Sequence, residues 1–315
     1  MKKTLVYVAS SPRSGSTILT NLLGNHPEIF NVGELCNVHS FLNGGRIGQY
    51  FGGACPCGAS IRECSVWGQV IENALKKCNV SGVEFITRLQ DLNLTPQIGR
   101  FLPIANQAAA IRDLSKEGDK SIQVGHHCFA LLDEIVRIQG VPVVVDSSKN
   151  CSNLAIYLAH RPDDWDIKVI HILRDPRATA VSMIKGCRRA GVDAPSFYRA
   201  SLGWVRVNSL IAELLKPLGG ANSLIMSFEE FCSFPQDILD NVGLLIGVSL
   251  DLNLLSERSR PRHDIGGSRS VSTEATRIEI SLDQQWKIEM NLARQLFSRA
   301  FSSRIYRRIA AGEIN

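Results

Sequence analysis

Small polar residues and one arginine follow a short apolar run near the start of the chain. Residues 10–17 read SSPRSGST after the run Leu5–Ala9, and apolar residues then recur at 18, 19, 22 and 23. The spacing of apolar residues changes across this loop from that of a strand to that of a helix. Backbone N–H groups of such a loop and of the following helix N terminus form a positive hollow suited to a phosphate. The sequence therefore predicts a strand, an anion-binding loop and a helix.

The loop departs at two positions from the pattern G-x-x-x-x-G-K-[ST] of nucleoside triphosphatases. Gly15 and Thr17 are in register with that pattern. However, Ser10 replaces the first glycine, and Ser16 replaces the lysine that contacts the β- and γ-phosphates. This disfavours a nucleotide or small-molecule kinase, which we keep as the alternative enzyme. The positive charge lies instead on Arg13, whose planar guanidinium suits a terminal phosphate or a pair of sulfonyl oxygens.

The hexapeptide Pro12–Thr17 resembles the 5′-phosphosulfate loop of sulfotransferases that use 3′-phosphoadenosine 5′-phosphosulfate (PAPS). Taken alone, it is also compatible with a serine-rich turn that binds nothing. The resemblance implies that the loop binds the cofactor and that Arg13 also takes part in catalysis. The implied cofactor-binding residues of the loop are Arg13, Ser14, Gly15, Ser16 and Thr17.

The composition is that of an ordinary globular protein. The 315 residues, 44% hydrophobic and 21% charged, suffice for one large α/β domain or two small ones. The net charge of +5 fits a polyanionic small molecule and allows weak attraction to anionic lipid; we predict no nucleic-acid partner. Nine scattered cysteines indicate a reducing compartment. Leu5–Ala9 is too short for an export signal, and no apolar run approaches the ~20 residues of a membrane span, so we predict a cytoplasmic protein.

A glutamate follows the first predicted helix after one short connection. The segment GNHP at 24–27 ends that helix, and Gly33-Glu34 follows an apolar stretch. This order resembles the segment of tyrosylprotein and related sulfotransferases that ends in the catalytic glutamate, which implies that Glu34 is the general base. Two alternatives stay open. Glu34 could cap the next turn or pair with a surface arginine, and Glu28 is a rival base.

Residues 43–68 form an insert rich in glycine and cysteine. Cys55, Cys57 and Cys64 could supply three thiolates to zinc, with a fourth ligand from His39, Cys36 or Cys78. Free thiols or a labile disulfide are the alternatives, and we assign no metal to the chemistry. A similar C-x-C-G…C-x-x-W block occurs in bacterial members of the family, which implies a structural insert near the acceptor cleft. With the helical periodicity that follows, it makes residues 43–140 a predicted cap over the cleft.

A buried strand in the second half of the chain ends in a polar segment with a lysine. The run VPVVV at 141–145 is continuous and β-branched, as expected for a strand covered on both faces of a parallel sheet. It is followed by Asp146 and, three residues later, by Lys149. Ligands of open α/β sheets collect at the carboxyl ends of strands. Lys149 matches a lysine of related sulfotransferases, which implies that it stabilises charge as the S–O bond breaks. The alternative is a surface lysine that starts a helix.

The next predicted strand, residues 167–173, leads directly into a helix start. Asp175 is a suitable N-cap and Pro176 a suitable first helical residue, which leaves Arg174 at the strand end and Ser182 two turns along the helix. The combination R-D-P-R-A-x-A-x-S resembles the 3′-phosphate signature of sulfotransferases. The resemblance implies that Arg174 and Ser182 bind the 3′-phosphate of PAPS.

The C-terminal region contributes a basic loop and helical periodicity. Residues 258–272 resemble the H-x-I-x-G-N loop of bacterial relatives that folds over the nucleotide, with Ser268 in the place of asparagine. This implies that Ser268 and Arg269 contact the cofactor. Residues 283–309 predict one amphipathic helix with a basic tail, for which a solvated face is favoured over membrane contact. Its predicted inward residues are Trp286, Leu292, Leu296 and Phe297.

Together, the motifs predict a single α/β domain, residues 1–315, whose parallel sheet is flanked by helices as in the P-loop kinases. The resemblance implies a sulfotransferase that moves a sulfuryl group from PAPS to an acceptor hydroxyl or amine and releases 3′,5′-ADP. Arginine, lysine and backbone N–H groups can stabilise the sulfuryl group without a metal. The acceptor is a small molecule, glycan, lipid or peptide, and the oligomeric state stays open. A non-catalytic nucleotide-binding module is the alternative of another class.

Overall fold

A computed structural model of the protein describes residues 2–45, 53–90, 103–117, 119–258, 260–267 and 276–311. In these residues, five strands form one sheet in the order β2-β3-β1-β4-β5, and all neighbouring strands are parallel. The strands are β1 (Lys3–Ser10), β2 (Ile29–Gly33), β3 (Val143–Asp146), β4 (Trp165–Leu173) and β5 (Ser223–Ser227). The predicted α/β class with a parallel sheet is confirmed.

Helices connect the strands and cover the sheet. In the described part of the chain they are α1 (Ser16–Leu23), α2 (Val38–Leu42), α3 (Trp67–Cys78), α4 (Gly82–Gln90), α5 (Ile104–Glu117), α6 (Asp119–Gln139), α7 (Cys151–Ala159), α8 (Pro176–Arg189), α9 (Phe197–Leu215), α10 (Phe228–Ser233), α11 (Pro235–Ile246), α12 (Leu252–Ser256), α13 (Trp286–Glu289), α14 (Leu292–Phe301) and α15 (Ser303–Ala310). No helix in these ranges combines the length and the apolar character needed to cross a membrane.

The central strand β1 contributes to a hydrophobic core on each face of the sheet. Leu5, Tyr7 and Ala9 pack with α3, α4, α5, α6, α7 and α9. Val6 and Val8, which point to the opposite face, pack with α1, α11 and α12. Burial on both faces explains why the strand sequences are almost continuously apolar. The sheet is thus a rigid layer from which the loops at its carboxyl edge project.

Helices from the predicted 43–140 insert extend the first of these two cores. Trp67 at the start of α3 and Phe85 in α4 are fully buried there. The helical periodicity at 66–77 and 83–90 is confirmed by α3 and α4, which lie within one residue of those bounds. That this segment caps the cleft stays a prediction.

The prediction of one continuous helix over 283–309 is wrong. The chain forms three short helices there, α13, α14 and α15. Met290 is extended, and the side chain of Asn291 accepts a hydrogen bond from the Arg294 amide at 3.0 Å, which caps a new helix. The break changes which residues face inward. Trp286 is buried, but Leu292 and Leu296 are 70% and 56% exposed.

Candidate functional site

The loop between β1 and α1, residues 11–15, is the predicted anion loop and contains two residues with left-handed backbone. Arg13 and Gly15 both have positive φ, 72° and 88°. Gly15 is the N-cap of α1 and has no side chain with which to cap the helix amides. The Ser14 hydroxyl is buried and within 2.8 Å of the Ser11 hydroxyl, so it stabilises the loop from inside. Ser16 and Thr17, by contrast, line a cavity. The predicted strand, loop and helix are confirmed.

Phe228 at the start of α10 packs directly under this loop. An ideal Cβ built on Gly15 would lie 2.2 Å from two carbons of the Phe228 ring, far inside van der Waals contact. Glycine is therefore required at position 15 for two reasons: the left-handed backbone and the close approach of the ring. The sequence analysis identified the glycine but not its partner, because the two lie more than 200 residues apart.

We expect Gly15→Ala to lower the free energy of unfolding by about 2 kcal/mol or more. A left-handed backbone costs an L-residue about 1–2 kcal/mol, and the displaced Phe228 ring adds to that cost. Gly247→Ala is the matched control, because Gly247 has φ 76° and nothing within 4 Å of its ideal Cβ. Urea unfolding of both variants measures the difference. Equal losses would show that contact with the ring does not constrain the loop.

Arg174 connects the end of β4 to the anion loop. Its Nη1 atom donates to the backbone oxygen of Arg13 at 2.9 Å, and its guanidinium lies 5.0 Å from the centre of the Phe228 ring. Arg174 is buried, yet its Nε has no hydrogen-bond partner in the described part of the protein. Ser182 accepts a hydrogen bond from Arg13 Nε at 3.2 Å. The structure thus brings the two predicted phosphate-binding segments together in one place.

The start of α8 holds Arg174 in position. Asp175 is the N-cap, accepting from the Arg177 amide at 2.8 Å, and Pro176 is the first helical residue, both as predicted. The Asp175 amide in turn donates to a carboxylate oxygen of Glu229 at 2.9 Å. Because the side chain and the backbone amide of Asp175 both form hydrogen bonds, the adjacent end of β4 is held in position.

Glu34 and Lys149 form an ion pair at the carboxyl edge of the sheet. The Lys149 Nζ to Glu34 Oε1 distance is 2.5 Å, and the side chains are 10% and 19% exposed, respectively. Nζ also donates to the Ser147 oxygen at 2.9 Å, and Glu34 Oε2 accepts from Asn37 at 2.7 Å. Lys149 is therefore not a surface lysine, and the partner of Glu34 is not a surface arginine.

Lys149 has an unusual backbone. Its φ of 56° is positive, as for only two other non-glycine residues in the described ranges, Arg13 and Asn79. Such conformations cost free energy and persist only where surrounding contacts impose them. Two of the three therefore lie at this site. Glu28, the rival base, is exposed at the turn before β2.

A buried network supports the Lys149 segment. Asp146 accepts hydrogen bonds from the amide and hydroxyl of Ser148 and, at 2.9 Å, from the Tyr157 hydroxyl. The Ser148 hydroxyl accepts from the Cys36 amide at 3.0 Å, which connects the segments that carry Lys149 and Glu34. Burial raises the pKa of Asp146 from 3.8 to about 6, although these hydrogen bonds oppose the shift.

Backbone pairing brings a third segment against Glu34. The Glu34 amide donates to the Ile265 oxygen at 2.6 Å, and the Ile265 amide donates to the Val32 oxygen at 2.9 Å. Beyond Ile265, an ideal Cβ on Gly266 would lie 3.2 Å from Glu34 Oε2, and one on Gly267 would lie 3.4 Å from Thr17. The segment therefore runs from Glu34 to the anion loop. The next residues, Ser268 and Arg269, for which we predicted cofactor contacts, lie outside the described residues.

One cavity of about 840 Å³ lies at the centre of this site. Arg13, Gly15, Ser16, Thr17, Glu34, Lys149, Arg174 and Ser182, all predicted from sequence, line it. The six basic residues on its wall outnumber the three acidic ones, Glu34, Glu279 and Asp283. A cavity of this size and charge suits an anionic ligand as large as a nucleotide.

Three basic residues of the cavity, Arg189, Arg258 and Arg277, were missed by residue-level sequence reasoning. Arg258 is informative, because its Nε, Nη1 and Nη2 atoms are buried and have no hydrogen-bond partner in the described ranges. Burial, and secondarily the nearby charge of Arg262, lowers its pKa. A buried guanidinium without a partner is costly unless an anion binds it. In the sequence, only the basic character of the 258–272 loop indicated a role for Arg258.

The fourth ligand considered for the cysteine-rich segment is corrected by the structure. His39 contacts the Cys36 oxygen at 2.9 Å, and Cys36 itself contacts Ser148. The residue beside Cys55, Cys57 and Cys64 is instead His263, from the distant C-terminal loop. Its distance of about 200 residues along the chain explains why spacing did not identify it.

Comparison with solved structures identifies the fold. The chain resembles the sulfotransferase domain from the curacin biosynthetic pathway with a TM-score of 0.53 and 17% identity, over 95% of this chain and 96% of that one. It resembles the sulfotransferase domain from the Synechococcus PCC 7002 olefin synthase with a TM-score of 0.51 and 20% identity, over 96% of both chains. No family model and no curated protein sequence matches significantly. The chain therefore has a sulfotransferase fold, which confirms the resemblance inferred from its motifs at the level of the fold.

Proposed function

We propose that the protein is a PAPS-dependent sulfotransferase that modifies an acceptor hydroxyl or amine. The observation that carries this proposal is the Glu34–Lys149 pair, which lies on the same cavity as the anion loop and Arg174. A module that only binds nucleotides has no need of a half-buried carboxylate and ammonium beside its phosphate loop. Polar and charged groups that converge in a cleft beside a predicted phosphate loop are candidates for catalysis.

The donor set fits a nucleotide with phosphate or sulfate groups at two places. Arg13 and the N terminus of α1 supply one positive region, where Gly15 leaves the helix amides without a side-chain cap. Arg174 and Arg258 supply buried guanidinium nitrogens that have no partner in the described ranges. We propose that the first region binds the 5′-phosphosulfate and that Arg174 and Ser182 bind the 3′-phosphate.

The reaction needs one proton acceptor and one group that stabilises the leaving oxygen. When bound, PAPS supplies the sulfuryl group, which forms a bond to the acceptor oxygen or nitrogen as its bond to the 5′-phosphate breaks. Glu34 accepts the proton that the acceptor loses. Lys149, whose ammonium lies against Glu34, and Arg13 stabilise the negative charge that develops on the released phosphate. Asn37 and Lys149 together hold both oxygens of Glu34 in position.

The direct test is incubation with isotopically labelled PAPS and a panel of small-molecule, lipid, glycan and peptide extracts. Mass spectrometry should detect acceptors whose mass increases by one sulfuryl group and the formation of 3′,5′-ADP. Binding of the nucleotide without turnover on any acceptor class would favour the non-catalytic module.

We expect 3′,5′-ADP to bind much more tightly than AMP, and we expect Arg174→Ala to remove this preference. A hydrogen bond from a charged group to phosphate contributes about 1.5–3 kcal/mol, so the affinity for 3′,5′-ADP should fall at least ~10-fold. Calorimetric titration of both nucleotides measures the effect. AMP is the internal control. Because Arg174 also donates to the Arg13 oxygen, a variant whose loop had collapsed would bind both nucleotides more weakly.

Arg137→Ala serves as the matched arginine control, because Arg137 is 60% exposed and pairs with Glu134 on α6. It should leave both affinities unchanged. Equal affinities of the unmodified protein for 3′,5′-ADP and AMP would contradict the assignment of Arg174 and Ser182 to a 3′-phosphate.

A further inference from the structure

Three cysteines and one histidine converge at a place separate from the cavity. The ligand atoms of Cys55, Cys57, Cys64 and His263 all lie within 4.8 Å of one another. Cys55 Sγ and Cys64 Sγ are 3.6 Å apart, and His263 Nδ1 is 3.5 Å and 3.2 Å from these sulfurs, respectively. We propose that these four residues bind one structural zinc ion, which fastens the segment beside Glu34 to the cysteine-rich segment.

The three distances among Cys55, Cys64 and His263 match edges of a zinc tetrahedron. Zn–S bonds of about 2.3 Å and Zn–N bonds of about 2.0–2.1 Å place sulfurs about 3.8 Å apart and a sulfur and nitrogen about 3.5 Å apart. The three separations among Cys55, Cys64 and His263 are within a few tenths of an ångström of these values, and the Cys57 sulfur lies within 4.8 Å of the other ligand atoms. Three thiolates and one imidazole form a closed set of the kind that holds structural zinc, with no position for a substrate.

A backbone amide beside the cluster is directed at one of the sulfurs. The Trp67 amide donates to Cys64 Sγ at 3.5 Å. This donor stabilises negative charge on the Cys64 thiolate when a divalent ion is bound. Hydrogen bonds to the side chains that bind a metal ion affect its affinity in this way.

The surroundings also hold the histidine. The Trp67 indole donates to the His263 backbone oxygen at 2.5 Å, so the helix start that contacts Cys64 also fixes His263. Cys55 and Cys64 are buried, whereas Cys57 is exposed and leaves a route by which an ion can enter. The site is therefore both preorganised and accessible.

The position of His263 gives the ion a role in the fold. Ile265, two residues later, exchanges backbone hydrogen bonds with Val32 and Glu34. The zinc site would thus anchor one end of the segment whose other end reaches Thr17 of the anion loop. This proposal does not depend on the nature of the reaction, because it concerns how the segment is held.

Metal analysis of the full chain tests the site. Protein purified under reducing conditions without chelator should contain about one zinc per chain, and cobalt should replace it with the charge-transfer and visible bands of tetrahedral thiolate coordination. In competition with a chromophoric chelator, Cys57→Ala and His263→Ala should each weaken zinc binding at least ~100-fold. Cys57 is exposed, so its variant should fold. Cys78→Ala, at the end of α3, is the control and should bind zinc normally.

Hydrogen exchange tests the anchoring. Removal of zinc should accelerate amide exchange of Ile265 and Glu34 at least ~10-fold, while exchange in the central strand β1 stays slow. Less than about a tenth of an ion per chain after dialysis against zinc, or normal zinc affinity in both ligand variants, would overturn the site. A Cys55–Cys64 disulfide found under the same reducing conditions would overturn it as well. Unchanged exchange at Ile265 and Glu34 would overturn the anchoring role.

Discussion

Glu34→Gln should reduce kcat by ~10²–10⁴ on a verified acceptor while leaving nucleotide affinity nearly unchanged. The amide keeps the shape of the side chain, and its oxygen can still accept from Lys149, but it cannot take up the proton of the acceptor. Steady-state kinetics with saturating PAPS measures kcat, and calorimetry with 3′,5′-ADP measures binding. The two readouts separate a lost proton acceptor from a damaged nucleotide site.

Glu28→Gln is the matched control for this experiment. Glu28 lies immediately before β2 and Glu34 immediately after it, but Glu28 is exposed. It should retain parental kcat. If Glu34→Gln keeps more than about a tenth of parental kcat, an order below the range for general-base catalysis, Glu34 is not the base.

Lys149→Met should reduce kcat by ~10²–10³, the range seen when one preorganised donor to a developing oxyanion is removed. Methionine keeps an unbranched side chain of similar length without the charge. The variant should also be less stable, because Glu34, only 19% exposed, loses the partner of its charge. Kinetics and urea unfolding of the same preparations measure both effects.

The double variant Glu34→Gln/Lys149→Met distinguishes catalysis from stability. It removes both charges, so it should be more stable than Lys149→Met alone, and its kcat should fall by less than the product of the single losses. Lys76→Met is the control, since Lys76 pairs with Glu72 on the exposed face of α3. A Lys149→Met variant with parental kcat but reduced stability would show that the lysine only neutralises Glu34.

Local patterns were sufficient for most of the elements around the site. Strands β1, β3 and β4, the loop at 10–17 and the cap of α8 were predicted because burial, turn chemistry and capping each depend on residues a few positions apart. The same reasoning failed over 283–309. The helical spacing of apolar residues continues through Asn291. However, the Asn291 side chain caps a new helix, so different residues face inward after it.

The sequence by itself determined the α/β class and the strand, loop and helix around residues 10–17. It also indicated nine described candidate site residues, eight of which line the cavity, because their segments follow the carboxyl ends of strands in recognisable local contexts. The tertiary structure alone decided their partners. Glu34 meets Lys149 across 115 residues, Gly15 meets Phe228, and His263 meets the cysteines of a segment about 200 residues earlier. These contacts depend on the strand order β2-β3-β1-β4-β5 and on the return of the C-terminal segment past Gly33, where the Ile265 backbone leaves no room for a Cβ. Strand order and long-range packing are set by the burial of both faces of the sheet together, which no short stretch of sequence encodes.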